Sequence, residues 1–293
     1  MKINRRQFVR NLGLGTASLS MGSLISTSSC APSGDSRDKR GKVSDDDQFL
    51  FIGDDIAIAQ TEYGKVQGYL LNHVYTFLGV PYGADTSGKN RFMPPQKPEP
   101  WTDVRPAVFY GNTAPQRMEN RWPNNYGTFA DHWNYWDVSE DCLYLNVWTP
   151  GIADGKRRPV LVWLHGGGFT NGSGIEQDGY HGENISREGD IVFCSINHRL
   201  GPIGFSDLSG VGGEAYKDSG NVGMLDIIAA LRWVHDNIAN FGGDPGNVTV
   251  MGQSGGGSKV CTVAAMPAAR GLIHRAVALS GSVSYTHLRA HET

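Results

Sequence analysis

Cysteine is scarce in this chain, and neither sign of charge is in excess. The four cysteines are Cys30, Cys142, Cys194 and Cys261. Their spacing follows no metal-ligand pattern, and no disulfide pairing can be read from it. Cys194 falls in an apolar strand-like run and Cys261 in a helical one, so both read as small core residues. The 26 basic and 29 acidic residues leave a formal net charge of -3, so nucleic acid is not an expected partner. Long apolar runs are also missing. The stretch from Leu12 to Ile25 is diluted by Gly, Ser and Thr and is too weakly apolar to read as a spanning helix.

What is present points to a large globular unit. The chain has 293 residues and 39% hydrophobic residues, enough for one large α/β domain or two small ones. Glycine is high at 39, and much of it clusters in two loops, which suggests tight backbone geometry rather than low complexity.

The first thirty residues read as an address rather than as fold. Asn4-Arg5-Arg6-Gln7-Phe8-Val9-Arg10 resembles a twin-arginine export signal, and the weakly apolar stretch and a small-residue end follow in order. Thr27-Ser28-Ser29-Cys30 resembles a lipoprotein cleavage box, with Thr27 where leucine is usual. Residues 1–30 are therefore expected to direct export to the periplasm or cell surface. Cys30 is the candidate lipidation site and membrane tether. Residues 31–55, rich at first in Ser, Gly, Lys and Asp, read as a disordered linker.

From residue 56 the pattern is that of alternating strands and helices. Thr61 to Leu71 and Val74 to Leu78 read as short strands. Leu143 to Trp148 alternates as a strand does. Pro159 to Leu164 and Ile191 to Ile196 are nearly continuous apolar runs, as buried strands should be. Met224 to Asn240 carries Leu225, Ile228, Leu231, Val234 and Ile238 at three- and four-residue steps, a helical stripe. Val248 to Met251 predicts a strand, Gly255 to Met266 a helix and Ala276 to Leu279 a last strand. Such alternation implies a mostly parallel sheet with helices on both faces. Arg121 to Asp137 is a long aromatic loop, fit either to line a cleft or to staple itself to the body.

Two motifs carry chemistry. Gly252-Gln253-Ser254-Gly255-Gly256 is a G-x-S-x-G pentapeptide between a strand and a helix, the turn that lifts a nucleophilic serine above a sheet. A serine hydroxyl needs a base to take its proton, and small neighbours let it sit in a strained, exposed turn. His165-Gly166-Gly167-Gly168-Phe169 comes straight off an earlier strand. Its N–H groups, with that of Gly255, suit the oxyanion of a tetrahedral intermediate. The candidate site is therefore Ser254 as nucleophile, with Gly167, Gly168 and Gly255 as the oxyanion hole. The order Gly257-Ser258-Lys259 is wrong for a phosphate-binding P-loop, which needs Gly-Lys-Ser/Thr.

Around these motifs the chain resembles the type B carboxylesterases, the family that includes the cholinesterases. Glu140-Asp141-Cys142-Leu143-Tyr144-Leu145-Asn146-Val147-Trp148 is similar to the family's second signature. Asn197-His198-Arg199-Leu200-Gly201-Pro202 matches too, with His198 where tyrosine is usual. Asn221 to Asp226, and Phe241-Gly242-Gly243-Asp244-Pro245 through Ser254, also match. The resemblance implies the α/β-hydrolase fold and a Ser-His-Glu/Asp triad. It implies ester hydrolysis through an acyl-serine on small-molecule esters, without metal or cofactor. It further implies scaffold ion pairs, Arg91 with Glu140 and Arg199 with Asp226. Ala114-Pro115-Gln116 lacks the family's partner cysteine, so Cys142 is expected to be free. Gly255 stands where alanine is commoner, and because the donor is backbone the change is expected to matter little.

The family pattern spans residues 56–282. Residues 283–293, VSYTHLRAHET, resemble translated sequencing adapter. The triad acid and histidine follow the nucleophile in this family, so both are expected to be absent from these residues. His287 and His291 lie outside the pattern, and His165 and His235 belong to the glycine loop and a helix. A fragment so truncated is expected to be inactive and poorly soluble. Two other readings remain beside ester hydrolysis. One is a non-catalytic cholinesterase-like binding domain, whose members typically lose the serine or the glycines kept here. The other is amide or carbamate hydrolysis on the same machinery.

Overall fold

The computed structural model describes residues 49–117 and 137–281. The export signal, Cys30, nearly all of the 31–55 linker, most of the aromatic loop and the 283–293 segment with His287 and His291 lie outside the described residues.

Eight strands form the main sheet. They are β1 (Leu50–Phe51), β4 (Tyr69–Leu71), β5 (Val74–Pro81), β7 (Tyr144–Thr149), β8 (Arg158–Leu164), β9 (Val192–Ile196), β10 (Gly243–Gln253) and β11 (Arg275–Leu279). Their order is β1-β4-β5-β7-β9-β8-β10-β11. The strands β2 (Ile58–Gln60), β3 (Lys65–Gln67) and β6 (Arg105–Pro106) make a small second sheet. In the main sheet β9, β8, β10 and β11 are mutually parallel. The half from β1 to β7 is antiparallel, including the β7–β9 junction. The parallel character expected from the strand–helix alternation thus belongs to the half that carries both motifs. β4 and β5 are joined by the two-residue turn Asn72-His73, which suits antiparallel neighbours.

Three helices matter for the site: α1 (Glu183–Gly189), α2 (Val222–Asn237) and α3 (Gly255–Ala265). The apolar runs are continuous because both faces of the sheet are covered. On β8, Val160, Val162 and Leu164 join the large core with α2 and α3, while Leu161 and Trp163 turn to a smaller cluster with Trp148 and Phe193. On that second face, Ser186 of α1 donates from its Oγ to the Trp148 carbonyl at 3.1 Å. Burying one large apolar side chain contributes roughly 1.5–3 kcal/mol, and the core takes Phe77, Leu145, Ile196, Ile227, Leu231 and Phe241 at full burial.

Most sequence boundaries hold to within a few residues. Two readings change. The strand expected at Val248 to Met251 starts five residues earlier, because Gly243 pairs with Arg158 across an irregular register. Cys261, expected in the core, is exposed. It lies on the outer side of α3, whose inward positions are Val260 and Val263. Cys194 is buried as expected, and Cys142 is buried and free.

Candidate active site

A single residue separates β10 from α3. That residue is Ser254, held at φ 57° and ψ -122°. Such a conformation costs a non-glycine residue about 1–3 kcal/mol, which the surroundings must offset. They do so with hydrogen bonds on both sides. The Ser254 N–H donates to the Leu279 carbonyl of β11 at 2.8 Å, and its own carbonyl accepts from the Ser258 N–H at 3.0 Å. The turn also requires missing side chains. A Cβ on Gly252 would meet the Gly256 carbonyl at 2.5 Å, and one on Gly256 would overlap the Leu164 carbonyl. The strand, the helix and the end of β8 approach this closely only as bare backbone.

The glycine loop leaves β8 at His165 and runs beside that turn. Gly167 and Gly168 adopt φ of 80° and 65°, open to glycine at little cost. The loop is pinned at several points. The Gly167 carbonyl accepts from the N–H of Asn171 at 3.2 Å, and the Gly201 N–H donates to the Phe169 carbonyl at 2.7 Å. Gln116 clamps Gly172 twice, donating to its carbonyl at 2.9 Å and accepting from its N–H at 2.7 Å. Gly166 is so close to the elbow that a Cβ there would stand 3.7 Å from the Ser254 Cβ.

The sequence-predicted residues therefore meet at one place. Ser254 is exposed and Gly255 is buried beneath it, with the exposed Gly167 and Gly168 alongside. The N–H groups of Gly167, Gly168 and Gly255 donate no hydrogen bond among the described residues, and the Ser254 hydroxyl makes none. Glycine at 255 lets the opposing loop come close to the helix. A methyl at 255 would lie on the Cα, nitrogen and oxygen of Gly168.

Beneath the loop lies a buried polar layer. His165 and His198 stack with ring centres 4.9 Å apart. The His198 Nδ1–H faces the Arg199 carbonyl at 2.8 Å. Burial, with the charge of Lys259 added, holds the His198 imidazole well below the ordinary histidine range, so it is neutral. Arg199 and Asp226 form a fully buried pair, joined by Nη2 to Oδ1 at 2.6 Å and Nε to Oδ2 at 2.8 Å. Arg91 meets Glu140 at 2.9 Å nearer the surface. Both expected ion pairs are present, and both serve the scaffold. The Arg199 pair fixes the segment from which Gly201 holds the glycine loop.

No described histidine hydrogen-bonds to Ser254. His165 turns its Nδ1 to the Gly166 carbonyl, His235 pairs with Asp236 on the surface, and His274 accepts from the Val248 N–H. Among the described residues no group of three or more His, Cys, Asp or Glu is placed to hold a metal. Two residues were not singled out from sequence. Gln116 appears there only as the neighbour of a missing cysteine. Lys259 appears only as a mismatch to a P-loop. Its signal is a lysine within a run of small and apolar residues five positions after the serine.

Comparison with known proteins places these features in a family. The carboxylesterase family matches residues 55–290. The chain is 43% identical over 228 residues to the para-nitrobenzyl esterase of Bacillus subtilis (strain 168), covering 77% of this chain and 44% of that one. It is 45% identical over 220 residues to the phenmedipham hydrolase of Pseudarthrobacter oxydans, covering 75% and 42%. An esterase from Clostridium hathewayi that hydrolyses aliphatic aromatic polyesters superposes with a TM-score of 0.72 at 43% identity, over 78% of this chain and 44% of that one. The chain thus spans less than half the length of the relatives it matches. The sheet, the two glycine motifs and this likeness agree: the chain belongs to the carboxylesterase family and has the α/β-hydrolase fold.

Proposed function

We propose that this chain carries the nucleophile and oxyanion hole of a serine carboxylic-ester hydrolase. The Ser254 hydroxyl attacks the ester carbonyl and gives up its proton to a base. The carbonyl oxygen becomes an oxyanion beside the N–H groups of Gly167, Gly168 and Gly255. Collapse breaks the bond to the alkoxy group, which leaves as alcohol with the proton, and an acyl-serine remains. Water then attacks the acyl carbon, releases the acid and restores the serine. The observation that carries this reading is the strained, exposed Ser254 at the start of α3, where the N–H groups of Gly255 and of Gly167 and Gly168 in the adjoining loop make no hydrogen bond among the described residues. Because no described histidine reaches Ser254, the base comes from outside the described residues.

The test is labelling of the full-length protein with a fluorophosphonate. Attachment at Ser254, lost in Ser254→Ala with hydrolysis of a p-nitrophenyl ester, is the expected result. The loss in kcat should be on the order of a million-fold, as for removal of a nucleophilic serine in subtilisin. A wild-type protein that binds esters without being labelled is instead a non-catalytic binding domain. Amide or carbamate cleavage by the same residues is a second reading, favoured by the likeness to the phenmedipham hydrolase. Relative kcat/KM on matched ester and carbamate substrates separates the two.

We also propose that residues 1–30 direct export and that Cys30 is lipidated, tethering the protein to a membrane surface. The support is the order of the twin arginines, the weakly apolar stretch and the small residues before Cys30. Incorporation of a labelled fatty acid, abolished by Cys30→Ser, is expected. Equal labelling of that variant rejects the tether.

A further inference from the structure

Lys259 is completely buried, and lysine is almost never fully buried without a partner. It sits on α3, just over one turn after Ser254. Its Nζ donates to the His165 carbonyl at 3.1 Å, stands 5.8 Å from the centre of the Phe169 ring and is attracted by the buried carboxylate of Glu176. His165 and Phe169 are the two ends of the glycine loop. One side chain therefore reaches both ends of the segment that holds Gly167 and Gly168.

The placement on α3 matters as much as the contacts. The same helix carries Ser254 at its start and Gly255 as its first residue. The glycine loop touches the helix at Gly255, where Gly168 lies against it. Lys259 makes a second attachment behind the first. The pins from Gly201 and Gln116 hold the loop to other segments, whereas Lys259 ties it to the helix that carries the nucleophile. An apolar side chain would fill the same volume without desolvating an amine, but it would offer the His165 carbonyl nothing.

We propose that Lys259 is a positioning residue that locks the oxyanion loop to the nucleophile-bearing helix. The inference rests on the reading of Ser254 as nucleophile and goes beyond it by assigning a residue that touches no substrate. Either protonation state of the amine keeps an N–H for the His165 carbonyl, so the lock persists across neutral pH. A misplacement of about 1 Å at a reacting centre costs on the order of 100-fold. Oxyanion donors act in the transition state rather than on bound ester, so the loss should fall on kcat.

The experiment uses the full-length protein, a p-nitrophenyl ester and a trifluoromethyl ketone, with active sites counted by complete fluorophosphonate labelling. For Lys259→Met the expected result is a loss of roughly 10- to 100-fold in kcat per labelled site, with KM within about twofold. Affinity for the trifluoromethyl ketone, which forms an oxyanion adduct, should fall in proportion. An unchanged kcat per labelled site, with only a lower melting temperature, overturns the proposal and leaves Lys259 a scaffold residue. Because the Glu176 carboxylate attracts the Lys259 amine, Lys259→Met with Glu176→Gln is the second variant, with the same expectation. Failure of both variants to fold also overturns it. Wild-type protein that takes no fluorophosphonate rejects the esterase reading itself, an outcome distinct from a failure of Lys259 alone.

Discussion

An alanine at position 255 would drive its methyl into the backbone of Gly168, although the sequence pattern alone makes alanine look harmless there. The donor at 255 is a backbone N–H, and sequence reasoning stops at that point. What it misses is the distance of the opposing loop. We expect Gly255→Ala to push Gly168 outward and lower kcat by about 10-fold or more, with KM little changed. Steady-state kinetics on a p-nitrophenyl ester would check this, and unaltered kcat would show that the loop gives way at no cost.

Lys259 supplies a second test at the same scale. Burial pushes its amine down to about 7, against the pull of Glu176, whereas an unfolded lysine titrates near 10.4. The unfolded chain therefore binds more protons between these values, and stability rises with pH across that window. The groups facing Lys259 are Glu176 and His198, with Arg199 behind His198. His198 stays neutral there, so it does not oppose the trend. The melting temperature of wild type, taken relative to that of Lys259→Met, should rise between about pH 6.5 and 9.5. Parallel curves would place the proton elsewhere. Ser254 and its glycines were legible because their chemistry is local. Lys259 was not, because a charge inside an apolar pattern reads as noise until its partner from β8 is known.

At the scale of elements, the strands and helices of the parallel half were legible because their apolar periods are long and unambiguous. The ends of β10 were not. Gly243-Asp244-Pro245 reads as a turn by composition, yet pairing with Arg158 draws Gly243 into the strand. The side of a helix is similarly hard to read in a short, small-residue segment, which is why Cys261 was misplaced. Arg199 and Asp226 were legible as a pair through family resemblance, and the structure supplies the consequence. Asp226 lies on α2, and Arg199 leads into the Gly201 contact with the glycine loop. The pair therefore ties helix to loop, with no exposure to water. Breaking one member of such a pair costs about 3–5 kcal/mol, because the other charge stays buried. We expect Asp226→Asn to destabilise by that order in denaturant unfolding. A loss below about 1 kcal/mol would mean that Arg199 finds another partner.

For the whole molecule, the feature that sequence patterning could name but not measure is the edge of the main sheet. β11 is the last strand in the order, and among the described residues it pairs only with β10. All five of its residues are exposed, including Val277 at 38% and Leu279 at 40%. The same strand accepts the Ser254 N–H through the Leu279 carbonyl, so the unprotected edge and the candidate nucleophile share a support. An exposed apolar edge is a template for pairing with another chain, and a charge placed on it blocks that pairing. We predict that residues 1–293 expressed alone associate through β11. Val277→Lys should raise the soluble, monomeric fraction severalfold by light scattering, whereas the same change on a covered strand would only destabilise. Monomeric wild-type polypeptide would show that the edge is harmless. Hydrolysis by that polypeptide, abolished in Ser254→Ala, would mean that a base lies within these residues.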